Sequence, residues 1–204
     1  MRLRTRIATL AVLTAGLFAA FTGVALAHEN QVIRFGSFLG GLTHPVLGLD
    51  HFLAMVSVGI VSSMLGGRAI WTVPSLFVAM MAVGGVVGRA DIGLGGTAIE
   101  TGIAISVIAL GLAIAADRKL PVRVVMGAVV FFGFFHGYAH GVEIPNIARP
   151  AVYAGGFLLG TALIHLLGVL VGEMTKRYGR GRMVLRFVGA GFVVIGALFI
   201  LGVM

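Results

Sequence analysis

Two short runs of histidine and acid, His44-Pro-Val-Leu-Gly-Leu-Asp50-His51 and His136-Gly-Tyr-Ala-His140-Gly-Val-Glu143, hold four of the six histidines in this chain of 204 residues. Imidazole and carboxylate together suit borderline divalent ions such as Ni²⁺, Co²⁺, Zn²⁺ and Cu²⁺. Mg²⁺ and Ca²⁺ would call for more oxygen ligands. With no cysteine, thiolate ligation and disulfides are excluded. On a helix, residues three, four or seven apart return to nearly one face. The seven-residue spacing of His44 and His51, and the four-plus-three spacing of His136, His140 and Glu143, predict that each set points into one cavity.

The elements that must carry these groups lie in lipid. The chain is 59% hydrophobic and 11% charged, with a mean hydropathy of +1.08. A soluble domain would carry about a quarter charged residues. The apolar runs come in blocks of about 18–22 residues, the length that crosses a hydrocarbon core near 30 Å thick. Their continuous apolarity predicts helices, because an outer-membrane barrel shows short alternating segments instead. Six spans are predicted, over 40–65, 69–88, 96–116, 121–142, 150–172 and 183–203, separated by glycine, proline and charged breakers. The 32 glycines let such helices approach closely. Gly40, Gly41, Pro45 and Gly48 permit an irregular or close-packed start to the first span. A charged or titratable group inside a bilayer costs several kcal/mol unless partnered, which makes the two runs functional candidates. The sequence pI near 11.3 does not point to nucleic acid, because the basic residues are scattered between apolar spans.

Residues 1–27 read as a cleaved signal peptide: Arg2, Arg4 and Arg6 precede an apolar stretch over 7–24 and the small-x-small site Ala25-Leu26-Ala27. The alternative is an uncleaved first transmembrane helix. Cleavage leaves a membrane domain over 28–204, whose first residue, His28, could chelate a cation through its amine and imidazole. With that end outside, nine basic residues fall on the cytoplasmic side (Arg68, Arg118, Lys119, Arg123, Lys176, Arg177, Arg180, Arg182 and Arg186) against three outside. The positive-inside rule therefore places both mature termini in the periplasm. His44 to His51, Glu100, and His136 to Glu143 then share one membrane level near the outer face. The fold class expected is all-α integral membrane, a six-helix transmembrane bundle after a cleaved signal peptide. Two inverted sets of three spans would be a common transporter plan, although no internal sequence repeat is visible.

At this point the residues resemble a known family. His44-x5-Asp50-His51, followed by Leu53-Ala54-Met55 and Val58-Gly59, is similar to the first-span signature of the HupE/UreJ nickel permeases. Phe135-His136-Gly-x-Ala-His140-Gly-x-Glu143 is similar to that family's fourth-span signature. Signal peptide, size and six spans extend the likeness over essentially the whole chain. The resemblance implies uptake of Ni²⁺, sometimes Co²⁺, across the cytoplasmic (inner) membrane of a bacterium, supplying nickel enzymes such as hydrogenase or urease. It nominates His44, Asp50, His51, His136, His140 and Glu143 as metal-handling residues. Glu100 matches an acidic residue of the third span in a less distinctive context. The metal would be cargo, and no permanently bound cofactor is implied.

The remaining conspicuous groups weigh less. Phe77 resembles a second-span aromatic but reads as packing and is left outside the site. His165, deep in span five, reads as a hydrogen-bonded packing residue, with a second ion stop or a proton acceptor as alternatives. Glu173 reads as a solvated interface charge, Met80-Met81 and Phe131-Phe132 as lipid-facing or core packing, and Trp71 as an interfacial aromatic. No G-x-x-x-x-G-K-[ST] occurs, which argues against ATP coupling within the chain. A membrane metal-dependent hydrolase remains an alternative, with zinc-bound water as the nucleophile, although no H-E-x-x-H occurs. A haem-binding electron carrier with axial histidines fits the neighbouring acids poorly.

Overall fold

The computed structural model describes residues 36–118, 120–144 and 149–203. The expected signal peptide over 1–27 and the candidate chelator His28 lie outside these residues. The described chain is all-helical: α1 (Ser37–Leu47), α2 (Leu49–Leu65), α3 (Ala69–Arg89), α4 (Gly96–Ala116), α5 (Val122–Glu143), α6 (Pro150–Lys176) and α7 (Gly181–Ile200). Helices α3 to α7 are each long and apolar enough to cross a membrane, and α1 with α2 makes a sixth crossing if the bent pair counts as one. The protein is a multi-pass membrane bundle of the predicted class, and the five later spans fall within a few residues of their predicted bounds.

The first span differs. Rather than one helix over 40–65, α1 and α2 meet at an angle of 83°. Gly48, at the junction, has φ −89° and ψ 115°, an extended conformation outside the helical region. Pro45, three residues earlier, has no N–H to donate and weakens the last turn of α1. The seven-residue spacing of His44 and His51 therefore does not place them on one continuous helical face. They meet because the chain turns between them.

Packing is organised by backbone contact at small residues. A Cβ on Gly84 or Gly88 of α3 would overlap the carbonyls of Phe134 and Tyr138, and one on Gly137 or Gly141 of α5 would overlap those of Met81 and Gly85. Only hydrogen fits in this seam, the usual way membrane helices gain van der Waals contact where lipid supplies no hydrophobic drive. Residue numbers rise together across it, so α3 and α5 run parallel. The same test pairs α6 in parallel with both halves of the bent span: Gly41 and Gly156 seat α1, while Gly59 and Gly168 seat α2. α4 and α7 pack antiparallel, with Gly111 against Gly189 and Gly196 against Ile108. The most extensive contacts thus join span one to five, span two to four, and span three to six. Exchanging the first three spans for the last three maps this pairing onto itself, directions included. The inverted plan that is invisible in the sequence is present in the packing.

The bundle interior holds Met55, Val58, Ile60, Val73, Phe77, Val107 and Ile114, all essentially inaccessible. Large apolar groups such as Val86, Leu112, Phe187 and Val194 face outward, as lipid requires. Trp71 is exposed at the start of α3, Met81 is buried in the core, and of the Phe pair Phe132 packs inward while Phe131 faces out. Glu173 is tied down rather than merely solvated: Ser63 Oγ donates to it at 2.9 Å and Lys176 Nζ at 2.6 Å.

Candidate metal centre

Three elements bring the two runs together at one end of the bundle. The last turn of α1 carries His44, the first turn of α2 carries Asp50 and His51, and the last two turns of α5 carry His136, His140 and Glu143. The His44 ring lies 4.9 Å from that of His140, and the His51 ring lies 4.3 Å from His140 and 5.1 Å from His136. His44, His140 and Glu143 each offer a ligand atom, all within 4.8 Å of one another. Glu143 Oε2 sits between the two imidazoles, 3.2 Å from His44 Nε2 and 3.1 Å from His140 Nδ1.

The hydrogen bonds also aim the rings. His51 Nδ1 lies 2.8 Å from Asp50 Oδ1, which accepts a second bond from the His51 backbone N–H at 2.8 Å. His136 Nδ1 lies 2.8 Å from the Phe132 carbonyl oxygen. Carbonyl and carboxylate oxygens only accept, so each Nδ1 carries a proton and, in the neutral ring, each Nε2 is left with its lone pair. The Nε2 atoms of His51, His136 and His140 are all buried and have no hydrogen-bond partner. A buried unsatisfied polar atom costs about 1–3 kcal/mol, so three of them on neighbouring rings call for a partner. Proton on Nδ1, lone pair on Nε2 and a carboxylate or carbonyl behind is the arrangement that orients histidines bound to metal.

Not every nominated residue is placed alike. Asp50 engages its neighbour His51 and so buttresses a ring. Glu100 is exposed in the first turns of α4 and makes no hydrogen bond to the cluster, although it lies within electrostatic range of His51, Asp50 and Glu143. Phe77, read from the sequence as packing, is fully buried and touches the site: its ring lies 5.4 Å from His136. Tyr153 and Phe157 of α6 close the other side, 5.9 Å and 6.1 Å from the His44 ring. Neither stood out in the sequence, since a lone aromatic in an apolar span looks like any other. A cavity of about 350 Å³ lined by Met81, Arg89, His140, Tyr153 and Phe157 reaches the cluster from the end of the bundle where α3 and α5 stop.

The family model described as "HupE / UreJ protein" matches residues 9–199. A relative named Protein HupE from Rhizobium leguminosarum bv. viciae is 41% identical over 185 residues, covering 90% of this chain and 95% of its own length. No solved structure matches. The matched span takes in both histidine runs, the broken first helix and every helix packed around them, so the chain belongs to the HupE/UreJ family.

Proposed function

We propose that this protein is a secondary permease that takes up Ni²⁺, with Co²⁺ as a second cargo, across the cytoplasmic membrane of a bacterium, and so supplies nickel enzymes such as hydrogenase or urease. The observation that carries this reading is the set of three buried, unpartnered imidazole Nε2 atoms on His51, His136 and His140, placed beside the His44–Glu143–His140 group inside a membrane bundle. Neutral imidazole with a few carboxylates is a donor set for Ni²⁺ and its neighbours in the transition series.

In this reading a hydrated cation reaches His44, His140 and Glu143 first, because His44 and Glu143 are the partly exposed members of the cluster. It exchanges water for imidazole and carboxylate there, then moves one layer inward to the Nε2 atoms of His51 and His136. Asp50 holds His51 in the ligating orientation, and Glu100 adds negative potential near the mouth. Transit requires ligands that hold the ion moderately, since a closed high-affinity shell would not release it. Inward movement of two charges is favoured by about 4–5 kcal/mol per 100 mV of membrane potential. The positive charge pattern orients the bundle with the cluster and both mature termini on the periplasmic side, the signal peptide over 1–27 being removed.

The decisive measurement is accumulation of radioactive nickel at nanomolar concentration by cells with and without this chain. Uptake that depends on the chain and is competed by Co²⁺ is expected. Equal uptake in both strains would reject the proposal.

A further inference from the structure

Outside the cluster, one buried histidine has no explanation in packing. His165 lies near the middle of α6, is 1% exposed, and neither of its ring nitrogens has a hydrogen-bond partner. The sequence reading of His165 as a hydrogen-bonded packing residue is therefore not what the structure holds. An imidazole that only fills space would leave two polar atoms unsatisfied, at about 1–3 kcal/mol each, where leucine or phenylalanine would leave none.

His165 is not isolated. Among the described residues the buried unpartnered side-chain atoms belong to His51, Ser57, His136, His140, Tyr153, Thr161 and His165, all on α2, α5 and α6. Along α6 they descend from Tyr153, at the level of the cluster, through Thr161 to His165. Twelve residues at 1.5 Å each carry that series about 18 Å along the helix. Thr161 precedes His165 by four residues and so stands one turn above it on the same face. The ring of Phe77 connects the levels: it meets His136 at 5.4 Å on one side and His165 at 5.1 Å on the other. Beyond His165, a second cavity of about 380 Å³, lined mostly by apolar groups (Trp71, Pro74, Leu163, Leu166 and Val169 beside His165) and open to the outer face of the bundle between α3 and α6, extends toward the start of α3. That is the opposite end of the bundle from the cavity that reaches His140. Two cavities therefore each end on a histidine, with Phe77 packed between them.

We propose that His165 is a second, inner ligand stop for the transported divalent ion, with the Thr161 hydroxyl beside it, on the far side of Phe77 from the His51–His136 pair. This rests on the transport reading above and extends it. An ion leaving His136 must give up imidazole nitrogen in an apolar interior, and a second imidazole across one aromatic ring shortens the stretch over which it has no nitrogen ligand. The ring face of Phe77 attracts a cation in passage.

The test uses the full-length protein and Ni²⁺ alone. His165→Leu keeps the volume and removes both nitrogens. It is expected to insert at the parent level and to bind Ni²⁺ at the His44–His140 cluster with parent affinity, while nickel uptake falls about tenfold or more, the scale on which metal sites respond to loss of a supporting group. Parent-rate uptake by this variant would overturn the inner stop while leaving the transport reading intact. A parent chain with no uptake overturns both, so the two failures are told apart. Should His165→Leu not insert, His165→Gln decides, because it keeps a polar side chain of similar length and removes only the imidazole. Its nickel uptake should fall about tenfold with binding at the His44–His140 cluster unchanged. Parent-rate uptake by His165→Gln would reject the site.

Discussion

A histidine whose Nδ1–H is held by a carboxylate or carbonyl cannot choose its tautomer, and its other nitrogen is aimed before any ion arrives. His51 owes this to Asp50 and His136 to the Phe132 carbonyl. Asp50→Asn keeps the shape and removes the charge behind His51, and nickel uptake at matched protein level should fall about 10–100-fold. His140→Ala removes one lone pair and also one of the two imidazoles that seat Glu143, so its loss should be at least as large. Parent-level uptake in both variants would take these residues out of the mechanism. The pH dependence has a definite sign. Only neutral imidazole binds metal, so protons compete with the ion and affinity falls as pH drops. Equilibrium nickel binding to detergent-purified protein between pH 5 and 8 should weaken steadily toward the acid end. Binding that strengthens toward the acid end with the fold intact would show that histidine nitrogens are not the ligands.

At the scale of helices, glycines divide into those that hold a seam and those that do not. A methyl group on Gly137 would drive into the Met81 backbone, whereas one on Gly127 would meet nothing within 4 Å. Gly137→Ala should lower stability by about 1–3 kcal/mol, the cost of overpacking. Gly127→Ala should be neutral or gain about 0.5–1 kcal/mol, because glycine is the poorer helix former. Thermal unfolding of the two variants in one detergent checks the contrast, and equal midpoints would contradict the seam. Span bounds were legible because each apolar run ends at its own breaker, as at Gly66-Gly67 and Pro121. The break at Gly48 was not, since Pro45 and Gly48 are each tolerated in a membrane helix and only the packing against α6 shows that the chain turns there. His136, His140 and Glu143 could be grouped from spacing alone because α5 is continuous. The neighbours Phe77, Tyr153 and Phe157 depend on which helices adjoin, and that is not written in any local pattern.

For the molecule as a whole, the pairing of spans one with five, two with four and three with six has the symmetry of two inverted halves, yet the chemistry does not share it. The histidines of spans one and four gather at the same end, whereas an inverted copy would have sent one set to the other. The two halves share a packing plan but not the placement of their polar side chains, and no repeat is visible in the sequence. This arrangement, with nine basic residues expected on one side, predicts that a reporter fused after Gly202 reads out on the periplasmic side and one placed at Arg118 on the cytoplasmic side. A cytoplasmic signal from the C-terminal fusion would refute the orientation.

The turn at Gly48 has an electrical consequence. A helix that stops inside the membrane leaves its last carbonyls without amide partners, and its end carries roughly half a negative charge. α1 stops at Leu47, with His44 of its final turn already against His140, so that negative end faces the His44–His140–Glu143 group. Attraction of this kind is worth about 0.3–1 kcal/mol for a cation, and up to about 2 kcal/mol where partly buried. The opposite, positive end belongs to α2, where Asp50 in the first turn offsets it. Under the proposed function, a cation would be drawn inward partly by peptide dipoles, which no proton can neutralise. That share of the attraction should survive at acid pH even as the imidazoles are lost as ligands.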